Sequence, residues 1–341
     1  MNDKKRILFI GPNFMGYEKA IKDTLEQKGY TVDYYDDRPS NNFWTKAIIR
    51  INKQLYKYKI DKYYNYIWNE IKELDYKYFF SLNIEAMPLW FIKRLRANFN
   101  STFFIFYSWD SIANKKNNIY YLEFFDKVLS FDENDCKKYP QIIFRPLFYI
   151  NDYKKISTTK DYKYDFCFIG TAHSDRYVLI EKLKSQIIKL KASYFWFLYL
   201  NSKKLYLWNK ITNPCFKNAS IKDFKYKPLN PKDVLNYISQ SKVIIDIQHP
   251  KQTGLTMRTI EMIGAKKKLI TTNINIKYYN FYKPENIYII DRSNPIINTD
   301  FIKQEYKEID NEIYDKYSID SWIDDIFNKN QKYNQEFIKH K

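Results

Sequence analysis

Two side chains of opposite charge lie three residues apart in the segment GLTMRTIEMIGAKKKLITTN, residues 254–273. One turn of helix would place Arg258 and Glu261 on the same face. A guanidinium offers a fork of donors for phosphate oxygens, and a carboxylate offers two acceptors for the hydroxyls of a ribose. The pair can therefore bind the two parts of a nucleoside diphosphate. The alternative is a surface ion pair worth roughly a few tenths of a kcal/mol, and the spacing alone does not decide between them.

The charged pair follows a loop that carries further candidates. The apolar run KVIIDIQ predicts a strand, and HPKQTGLT leads from it into the predicted helix. In an open parallel sheet, ligands bind outside the carboxyl ends of the strands, where helix N-termini offer free backbone N–H groups to an anion. Thr253, Gly254 and Thr256 are therefore predicted to bind the same ligand as the charged pair.

The elements that position this loop belong to an alternating β and α pattern. A strand at residues 7–10, a helix to Leu25 with Gly29 as its C-cap, and a strand at residues 31–35 form a βαβ unit without a GxGxxG fingerprint. The alternation continues to about Tyr149, which predicts a parallel sheet covered on both faces.

A polar linker, NDYKKISTTKDYK, precedes a second such series. We therefore expect an α/β fold of two successive Rossmann-like domains, at residues 1–150 and 160–315, with an amphipathic C-terminal helix in residues 316–341. Lys266–Lys268, between a glycine and a strand, are expected to form a solvated turn.

The composition narrows the class of protein. The 45% of hydrophobic and 19% of aromatic residues exclude a disordered chain. No apolar run approaches the roughly 20 residues of a membrane helix, and the N-terminus lacks the features of a signal peptide. Three cysteines without a CxxC pair indicate neither a disulfide framework nor a zinc site. A cytoplasmic location is expected.

The net charge of +18 has two explanations. Lys, Asn, Ile and Tyr are abundant together, which the base composition of an AT-rich genome produces without selection for a partner. The functional explanation is attraction to an anionic membrane surface, at the inner face of the cell membrane, or to a negatively charged substrate. Nucleic acid is not an expected partner, because the lysines are dispersed and no nucleic-acid-binding motif is present.

Segments of the second half of the sequence resemble a known family. TGLTMRTIE and GAKKKLITTN are similar to the donor-binding βα unit of GT-B glycosyltransferases, and residues 164–273 resemble the spore-maturation-protein-like (CgeB-like) bacterial glycosyltransferases of surface polysaccharide synthesis. The resemblance implies two Rossmann-like domains facing each other across a cleft and a nucleotide-sugar donor, with uridine diphosphate as the expected nucleotide. It also implies chemistry without a metal or another cofactor.

The same resemblance assigns individual residues of the second domain. In related retaining families two glutamates lie eight residues apart, and the second binds the nucleotide ribose. Glu261 matches the second glutamate, whereas Thr253 occupies the position of the first, so the choice between retention and inversion stays open. Gly170, Thr171, His173 and Arg176, after the first strand of this domain, would face the donor phosphates. The alternative for His173 is a solvated loop histidine.

The first domain is expected to supply the acceptor site and the catalytic group. Asp110 follows the strand FFIFYS and could take the proton from an acceptor hydroxyl. Trp109 could stack on a sugar face, and Asn13 and Glu85 follow two other strands at the same edge. The alternative for Asp110 is an N-cap of the following helix.

A second acidic pair, Asp36 and Asp37, superficially suggests a metal site. We discount it because both residues end a strand of a Rossmann-like domain. The predicted function is sugar transfer from a nucleotide donor to a glycan or a lipid-linked acceptor. Two alternatives remain: a nucleotide-sugar epimerase of the same fold, and a non-catalytic protein that binds glycans or anionic surfaces.

Overall fold

The computed structural model describes residues 5–42, 45, 53–156, 161–250, 252–330 and 337–338. Their contacts divide the chain into two compact units. The first comprises the described residues within Met1–Pro146 and Ile319–Gln335, and the second those within Leu147–Ser318 and Glu336–Lys341. The sequence analysis set the C-terminal helix apart from both domains, whereas its contacts assign it to the first unit.

The first unit contains a six-stranded, fully parallel sheet of order β2-β1-β3-β4-β5-β6. Strands β3 and β4 lie in its centre and are almost entirely buried, as their continuous apolar sequences require. The strands are β1 Arg6–Gly11, β2 Thr31–Asp36, β3 Tyr78–Leu82, β4 Phe103–Ser108, β5 Lys127–Ser130 and β6 Ile142–Phe144. The helices described in this unit are α1 Tyr17–Gln27, α2 Lys57–Ile71, α3 Leu89–Asn98, α4 Glu133–Lys138 and, from the far end of the sequence, α12 Ile319–Phe327.

Helix α1 ends as its sequence predicts. Gly29 has a φ of 84°, a left-handed conformation that costs glycine little. Its N–H bonds to the carbonyl of Glu26 at 3.0 Å, and the N–H of Tyr30 bonds to that of Leu25 at 3.1 Å. These two hydrogen bonds form a Schellman motif. The motif satisfies the last carbonyls of the helix and turns the chain into β2.

Helix α12 completes the core of the first unit. The buried Trp322 ring lies 4.8 Å from the ring of Tyr107 and 6.1 Å from that of Phe80. At the helix C-terminus, the ammonium of Lys127 donates to the carbonyl oxygens of Asp325 and Asn328, at 2.6 and 2.7 Å. A cation at that end also interacts favourably with the helix dipole.

The second unit contains a five-stranded, fully parallel sheet of order β11-β10-β9-β7-β8. Its strands are β7 Tyr164–Thr171, β8 Tyr194–Tyr199, β9 Ser241–Asp246, β10 Lys268–Thr271 and β11 Ile287–Ile289. The helices described in this unit are α5 Asn151–Lys154, α6 Arg176–Lys189, α7 Lys203–Thr212, α8 Pro231–Ser239, α9 Met257–Gly264, α10 Thr299–Lys303 and α11 Asn311–Lys316. The predicted strand, turn and helix series of the second half is therefore present.

The prediction of a solvated turn at Lys266–Lys268 is wrong for two of the three residues. Lys267 and Lys268 are only 2% and 4% exposed. The ammonium of Lys267 donates to the carbonyls of Ser239 and Ser241 at the end of α8, and that of Lys268 to the carbonyls of Phe301 and Gln304 at the end of α10. Their long stems reach backbone carbonyls at or next to the end of a helix, so the ammonium groups are buried but hydrogen-bonded.

No described helix is both long and apolar enough to cross a lipid bilayer. Each unit is a parallel sheet flanked by helices, which is the Rossmann-like arrangement expected from the sequence.

Candidate functional site

The order of the second sheet locates a crevice. The chain moves from β7 to β8 on one side and later places β9 on the other side of β7, so the loops after β7 and β9 diverge. In open α/β sheets ligands bind at this switch point, outside the carboxyl ends of the strands. The described residues of these loops are 172–175, 247–250 and 252–256, and they contain or adjoin most residues predicted to bind a donor.

Arg176 joins the two diverging loops. It is the first residue of α6, and its guanidinium donates to the carbonyls of Thr171, at 2.9 Å, and Ile247. Gly170 makes room for it, since a Cβ there would lie 3.1 Å from Arg176 Nη1 and 2.8 Å from the Phe168 ring. Burial lowers the pKa of Arg176 to about 10, so the guanidinium stays charged at neutral pH.

Arg292 also bonds to residues at the carboxyl edge of the second sheet. The sequence analysis did not single it out. Its guanidinium forms two hydrogen bonds of 2.7 Å with the carboxylate of Asp175. It also donates to the carbonyl of Gln248 at 3.0 Å and to the hydroxyl of Thr272 at 3.2 Å. The carboxyl-edge rule could have found Arg292, because it lies just beyond β11.

His173 lies in the loop after β7. Its ring lies 5.5 Å from that of His249, and its Nδ1 is 3.0 Å from the hydroxyl of Ser174. Burial, followed by the positive charge of Arg176 and the neighbouring His249, lowers the pKa of His173 to about 4. The imidazole is therefore neutral at pH 7 and partly withdrawn from solvent, unlike the solvated histidine of the alternative interpretation.

The N-terminus of α9 is fastened to the end of β9. Thr256 is its N-cap and accepts a hydrogen bond from the N–H of Thr259 at 3.1 Å. Both threonine hydroxyls donate to one carboxylate oxygen of Asp246, at 2.5 and 2.7 Å. This arrangement fixes the helix start, with its positive dipole end, relative to the sheet.

Thr253 and Gly254 belong to the loop that precedes α9. The side-chain amide of Asn273 donates to their carbonyl oxygens at 3.2 and 3.3 Å, and that of Asn275 donates to Thr253 at 3.2 Å. These two asparagines follow β10, so the end of a neighbouring strand holds the loop in place.

Arg258 and Glu261 form the ion pair that their spacing allows, with 2.8 Å between Nη1 and Oε2. The pair is not on the surface, because the side chains are only 18% and 4% exposed. Burial raises the pKa of the Glu261 carboxyl, while the adjacent guanidinium favours its ionised form. Arg258 also donates to the hydroxyl of Tyr153 at 3.4 Å. The contact is therefore not the surface ion pair of the alternative interpretation. The role of Glu261 in binding a ribose stays a prediction.

In the first unit the sheet order places the switch point between β1 and β3. Two predicted acceptor residues meet there through Arg38, which donates to the carbonyl of Asn13 at 3.3 Å and to the carboxylate of Glu85 at 3.5 Å. The ammonium of Lys115 bonds to the other oxygen of Glu85 at 2.7 Å. Glu85 is thus flanked by two cations.

Asp110 does not cap a helix. The following 3-10 helix, Lys116–Phe124, begins after Lys115, which occupies its N-cap position. The Asp110 carboxylate instead accepts a hydrogen bond from the side-chain amide of Asn83 at 3.2 Å. Asn83 itself has a φ of 58°, in the left-handed region.

Trp109, beside Asp110, belongs to an aromatic cluster at the carboxyl edge of the sheet. Its ring lies 6.0 Å from Phe14 and 6.5 Å from Tyr17, both in edge-on geometry. Phe14 is 53% exposed, so the cluster presents an aromatic surface to solvent.

Asp36 and Asp37 fix loops of the first unit. The fully buried Asp37 accepts hydrogen bonds from the N–H groups of Glu85, Ala86 and Met87, at 2.9, 2.8 and 3.2 Å. Burial raises the pKa of Asp37. Asp36 accepts from the N–H of Arg38 at 2.9 Å. Asp37 therefore positions the loop that carries Glu85, and Asp36 the segment that carries Arg38.

Comparison with known proteins finds similarity in three dimensions alone. No protein-family model matches the chain, and no curated protein matches its sequence. A glycosyltransferase from Rickettsia africae is 13% identical over 94% of this chain and 96% of its own, with a TM-score of 0.55. Anabaena HepE in complex with UDP-glucose is 12% identical over 94% and 98%, with a TM-score of 0.54. A putative UDP-N-acetylglucosamine 2-epimerase from Listeria monocytogenes is 8% identical over 98% and 100%, with a TM-score of 0.50.

The chain has the two-domain, Rossmann-like GT-B fold. The fold class expected from the resemblance of TGLTMRTIE and GAKKKLITTN is thereby confirmed. Similarity at 8–13% identity shows a shared fold and no more, so membership of the CgeB-like subgroup stays a prediction.

Proposed function

We propose that the protein is a glycosyltransferase that moves a sugar from a uridine diphosphate sugar to a glycan or lipid-linked acceptor in bacterial surface polysaccharide synthesis. The observation that carries the proposal is the crevice at the carboxyl edge of the second sheet, where the guanidinium groups of Arg176 and Arg292 join the loops that follow its strands. Burial lowers the pKa of Arg176, the charges of Asp246 and Asp175 raise it, and those of Arg292 and Arg258 lower it. Arg292 and Arg258 are paired with Asp175 and Glu261, and the positive dipole end at the start of α9 adds to the attraction for a diphosphate.

Each residue then has a defined role. The arginines and the start of α9 stabilise the negative charge that develops on the leaving diphosphate. Glu261 binds the ribose hydroxyls. Gly170, Thr171, His173, Thr253, Gly254 and Thr256 shape the phosphate and nucleoside site through their loops, and a neutral His173 donates or accepts a hydrogen bond without adding charge. The proposed reaction requires no metal or other cofactor.

The first domain supplies the acceptor groups in this proposal. Asp110 takes the proton of the acceptor hydroxyl as the anomeric carbon is attacked. Its bond to Asn83 orients the carboxylate and leaves acceptor capacity on the other oxygen. Trp109 stacks on the acceptor sugar, and Asn13 and Glu85 form hydrogen bonds with its hydroxyls.

A nucleotide-sugar epimerase is the second candidate, because a putative UDP-N-acetylglucosamine 2-epimerase shares the fold over its full length. An epimerase would use the same donor crevice and no acceptor. Two of the solved structures with this fold bear on the nucleotide: HepE is described with UDP-glucose, and the epimerase acts on a UDP sugar by its name. We therefore also propose uridine diphosphate as the nucleotide.

Thermal unfolding with a panel of nucleoside diphosphates tests the proposal. A ligand at 100 times its Kd adds about 2.7 kcal/mol to the free energy of unfolding, so UDP should raise Tm more than ADP, GDP or uridine. Uridine serves as the matched control, because it lacks the diphosphate. The absence of stabilisation by any nucleotide at millimolar concentration would contradict the donor site.

A second measurement separates the two enzymes. Incubation with UDP sugars should release UDP faster when glycan acceptors are added, if the protein is a transferase. Conversion of one donor sugar to another without an acceptor, followed by NMR, would instead identify an epimerase. We also propose that the reaction takes place on the cytoplasmic side of the cell membrane, where nucleotide sugars are available as donors.

A further inference from the structure

Residues 202–229 connect β8 with α8 in the second domain, and their composition is unlike that of the chain as a whole. This β8–α8 connection contains seven lysines and a single carboxylate, Asp223, whereas the whole chain has 57 basic and 39 acidic residues. With seven lysines and one aspartate these 28 residues carry a net charge of +6, one third of the total of +18. A base-composition bias that acts on every residue alike does not explain such a local imbalance.

Helix α7, at the start of the connection, exposes a large apolar face. Leu207, Trp208 and Ile211 are 57%, 65% and 85% exposed. They are spaced i, i+1 and i+4, so they share one side of the helix. Lys203 and Lys204, one turn earlier, are also exposed and extend the same side. Apolar and cationic side chains thus alternate over one face of an ordered helix.

The rest of the connection holds this face rigidly outward. Tyr206 is buried on the opposite side of α7 and donates its hydroxyl proton to the carbonyl of Ala219 at 2.9 Å. The rings of Phe216 and Phe224 stack below it, with centroids 5.5 Å apart. The ammonium of Lys210 donates to the carbonyls of Lys217 and Ala219, both at 2.7 Å. The exposed face is therefore a built surface and not a frayed helix.

The lone carboxylate does not neutralise the surrounding lysines. Asp223 accepts hydrogen bonds of 2.7 Å from the hydroxyl of Tyr177 and from the N–H of Ser220, and so serves the packing of the connection. Among the described residues, Lys203, Lys204, Lys217 and Lys222 form no ion pair with a carboxylate. Their charge is available to an external partner.

We propose that the β8–α8 connection docks on an anionic lipid surface. Trp208, Leu207 and Ile211 enter the headgroup region, where an indole is favourably placed between water and acyl chains, and the lysines contact lipid phosphates. We choose an anionic bilayer as the partner because of charge complementarity. The lysines around the aromatic and aliphatic centre complement the negative charge of the headgroups. The inference goes beyond the proposed function, since it involves neither a nucleotide nor an acceptor.

Co-sedimentation with vesicles tests the proposal. Vesicles of phosphatidylcholine with about one third phosphatidylglycerol should bind the full chain at low salt, and pure phosphatidylcholine vesicles should bind it much more weakly. Removing two surface-facing charges in Lys203→Gln/Lys204→Gln should weaken binding about 30-fold, at about fivefold per lysine. Trp208→Ser should weaken it about tenfold.

Matched controls lie elsewhere on the same domain. Lys189→Gln/Lys232→Gln removes two exposed lysines, and Ile296→Ser removes an apolar side chain that is 55% exposed. Both should leave vesicle binding unchanged. Brominated lipids should quench tryptophan fluorescence in the wild type and lose most of that effect in Trp208→Phe, which a general loss of folding would not reproduce.

Three results would overturn the proposal. The first is equal binding to neutral and anionic vesicles, and the second is a loss of binding in the controls as large as in the α7 variants. The third is concentration-dependent self-association that Trp208→Ser abolishes, which would make the face an interface between two copies of the chain. Nucleotide-induced stabilisation of the α7 variants, measured without vesicles, should match the wild type, so this failure is separable from failure of the donor site.

Discussion

The guanidinium of Arg292 forms two hydrogen bonds of 2.7 Å with the carboxylate of Asp175, 117 residues earlier in the chain. Asp175 is the residue that precedes α6, and Arg292 follows β11. Through its other bonds, to Gln248 and Thr272, the same guanidinium also contacts the segments that follow β9 and β10. One side chain thus ties together four loops at the carboxyl edge of the second sheet.

Replacing Arg292 with lysine should separate the effect of its hydrogen-bond geometry on UDP binding from the effect of its charge. Arg292→Lys keeps the positive charge but cannot make the paired bonds, so we expect UDP affinity to fall about tenfold and stability to fall by about 1 kcal/mol. Calorimetry and urea unfolding measure the two effects. Arg6→Lys is the control, since the Arg6–Asp33 pair has similar exposure in the other domain and should change stability alone. Unchanged UDP affinity in Arg292→Lys would show that the loops need no such tie.

The Arg258–Glu261 pair gives a prediction with two readouts. Glu261→Ala should weaken binding of both uridine and UDP, because it removes the ribose contact. Arg258→Ala should weaken UDP more than uridine, and it should also destabilise the domain by about 3 kcal/mol, because it leaves a buried carboxylate without its cation. Glu261→Gln keeps the shape and serves as the control for packing. Unchanged calorimetric affinities in Arg258→Ala and Glu261→Ala would mean that the pair is purely structural.

Asp110 is predicted to be the general base. Asp110→Asn preserves the shape and an acceptor for Asn83 but cannot take a proton, so turnover should fall by about 10²- to 10⁴-fold with little change in donor affinity or Tm. Glu123→Gln, an exposed carboxylate of the same domain, is the control. A fully active Asp110→Asn enzyme would direct the search to Glu85, the other carboxylate predicted at this edge of the sheet.

The lowered pKa of His173 predicts how the stability of the protein depends on pH. Its pKa in the folded protein is about 4, below the usual 6.5, so between these values the unfolded chain binds more protons than the folded one. Stability should therefore rise with pH from about 4 to 6.5 and be complete above that interval. His173→Gln should flatten this part of the Tm profile. An NMR titration that places the His173 imidazole near pH 6.5 would contradict the buried environment described for it.

Gly264 ends α9 against the side chain of Tyr149. A Cβ at this position would lie 2.4 Å from Tyr149 Cγ and 2.7 Å from its Cβ, which the backbone fixes, and the fully buried ring has little room to turn away. Gly264→Ala should therefore cost about 3 kcal/mol, measured by urea unfolding. The same change in a Tyr149→Gly background, which lacks both atoms, should cost much less, and equal costs in both backgrounds would rule out the clash.

Local signals in the sequence were sufficient to predict strands and helices of the fold. The apolar run at residues 7–10 became β1, and Gly29 took the left-handed conformation that ends α1. These elements form because their own residues favour them, so a single sequence reveals them. The same rule that parallel strands carry ligands at their carboxyl ends placed Arg176 and Thr256 at one crevice.

Contacts between distant segments could not be predicted in the same way. The bond between Arg292 and Asp175 depends on the order of the strands, which no local pattern encodes. Lys267 and Lys268 carry charges that indicate a surface, yet their ammonium groups reach helix carbonyls inside the protein. The capping alternative for Asp110 failed because the chain forms a turn before the next helix begins.

The position of α12 has a consequence for the order in which the chain folds during synthesis. A ribosome completes residues 147–318, most of the second domain, before it makes the helix that belongs to the first. Until Trp322 emerges, the rings of Tyr107 and Phe80 lack a partner that covers them in the native core, and the Lys127 ammonium lacks its helix carbonyls. Neither domain can therefore complete its core before the end of the chain is made, because the second domain also lacks the buried Phe337, whose ring packs against Tyr317, in a nascent chain stalled before Ile319.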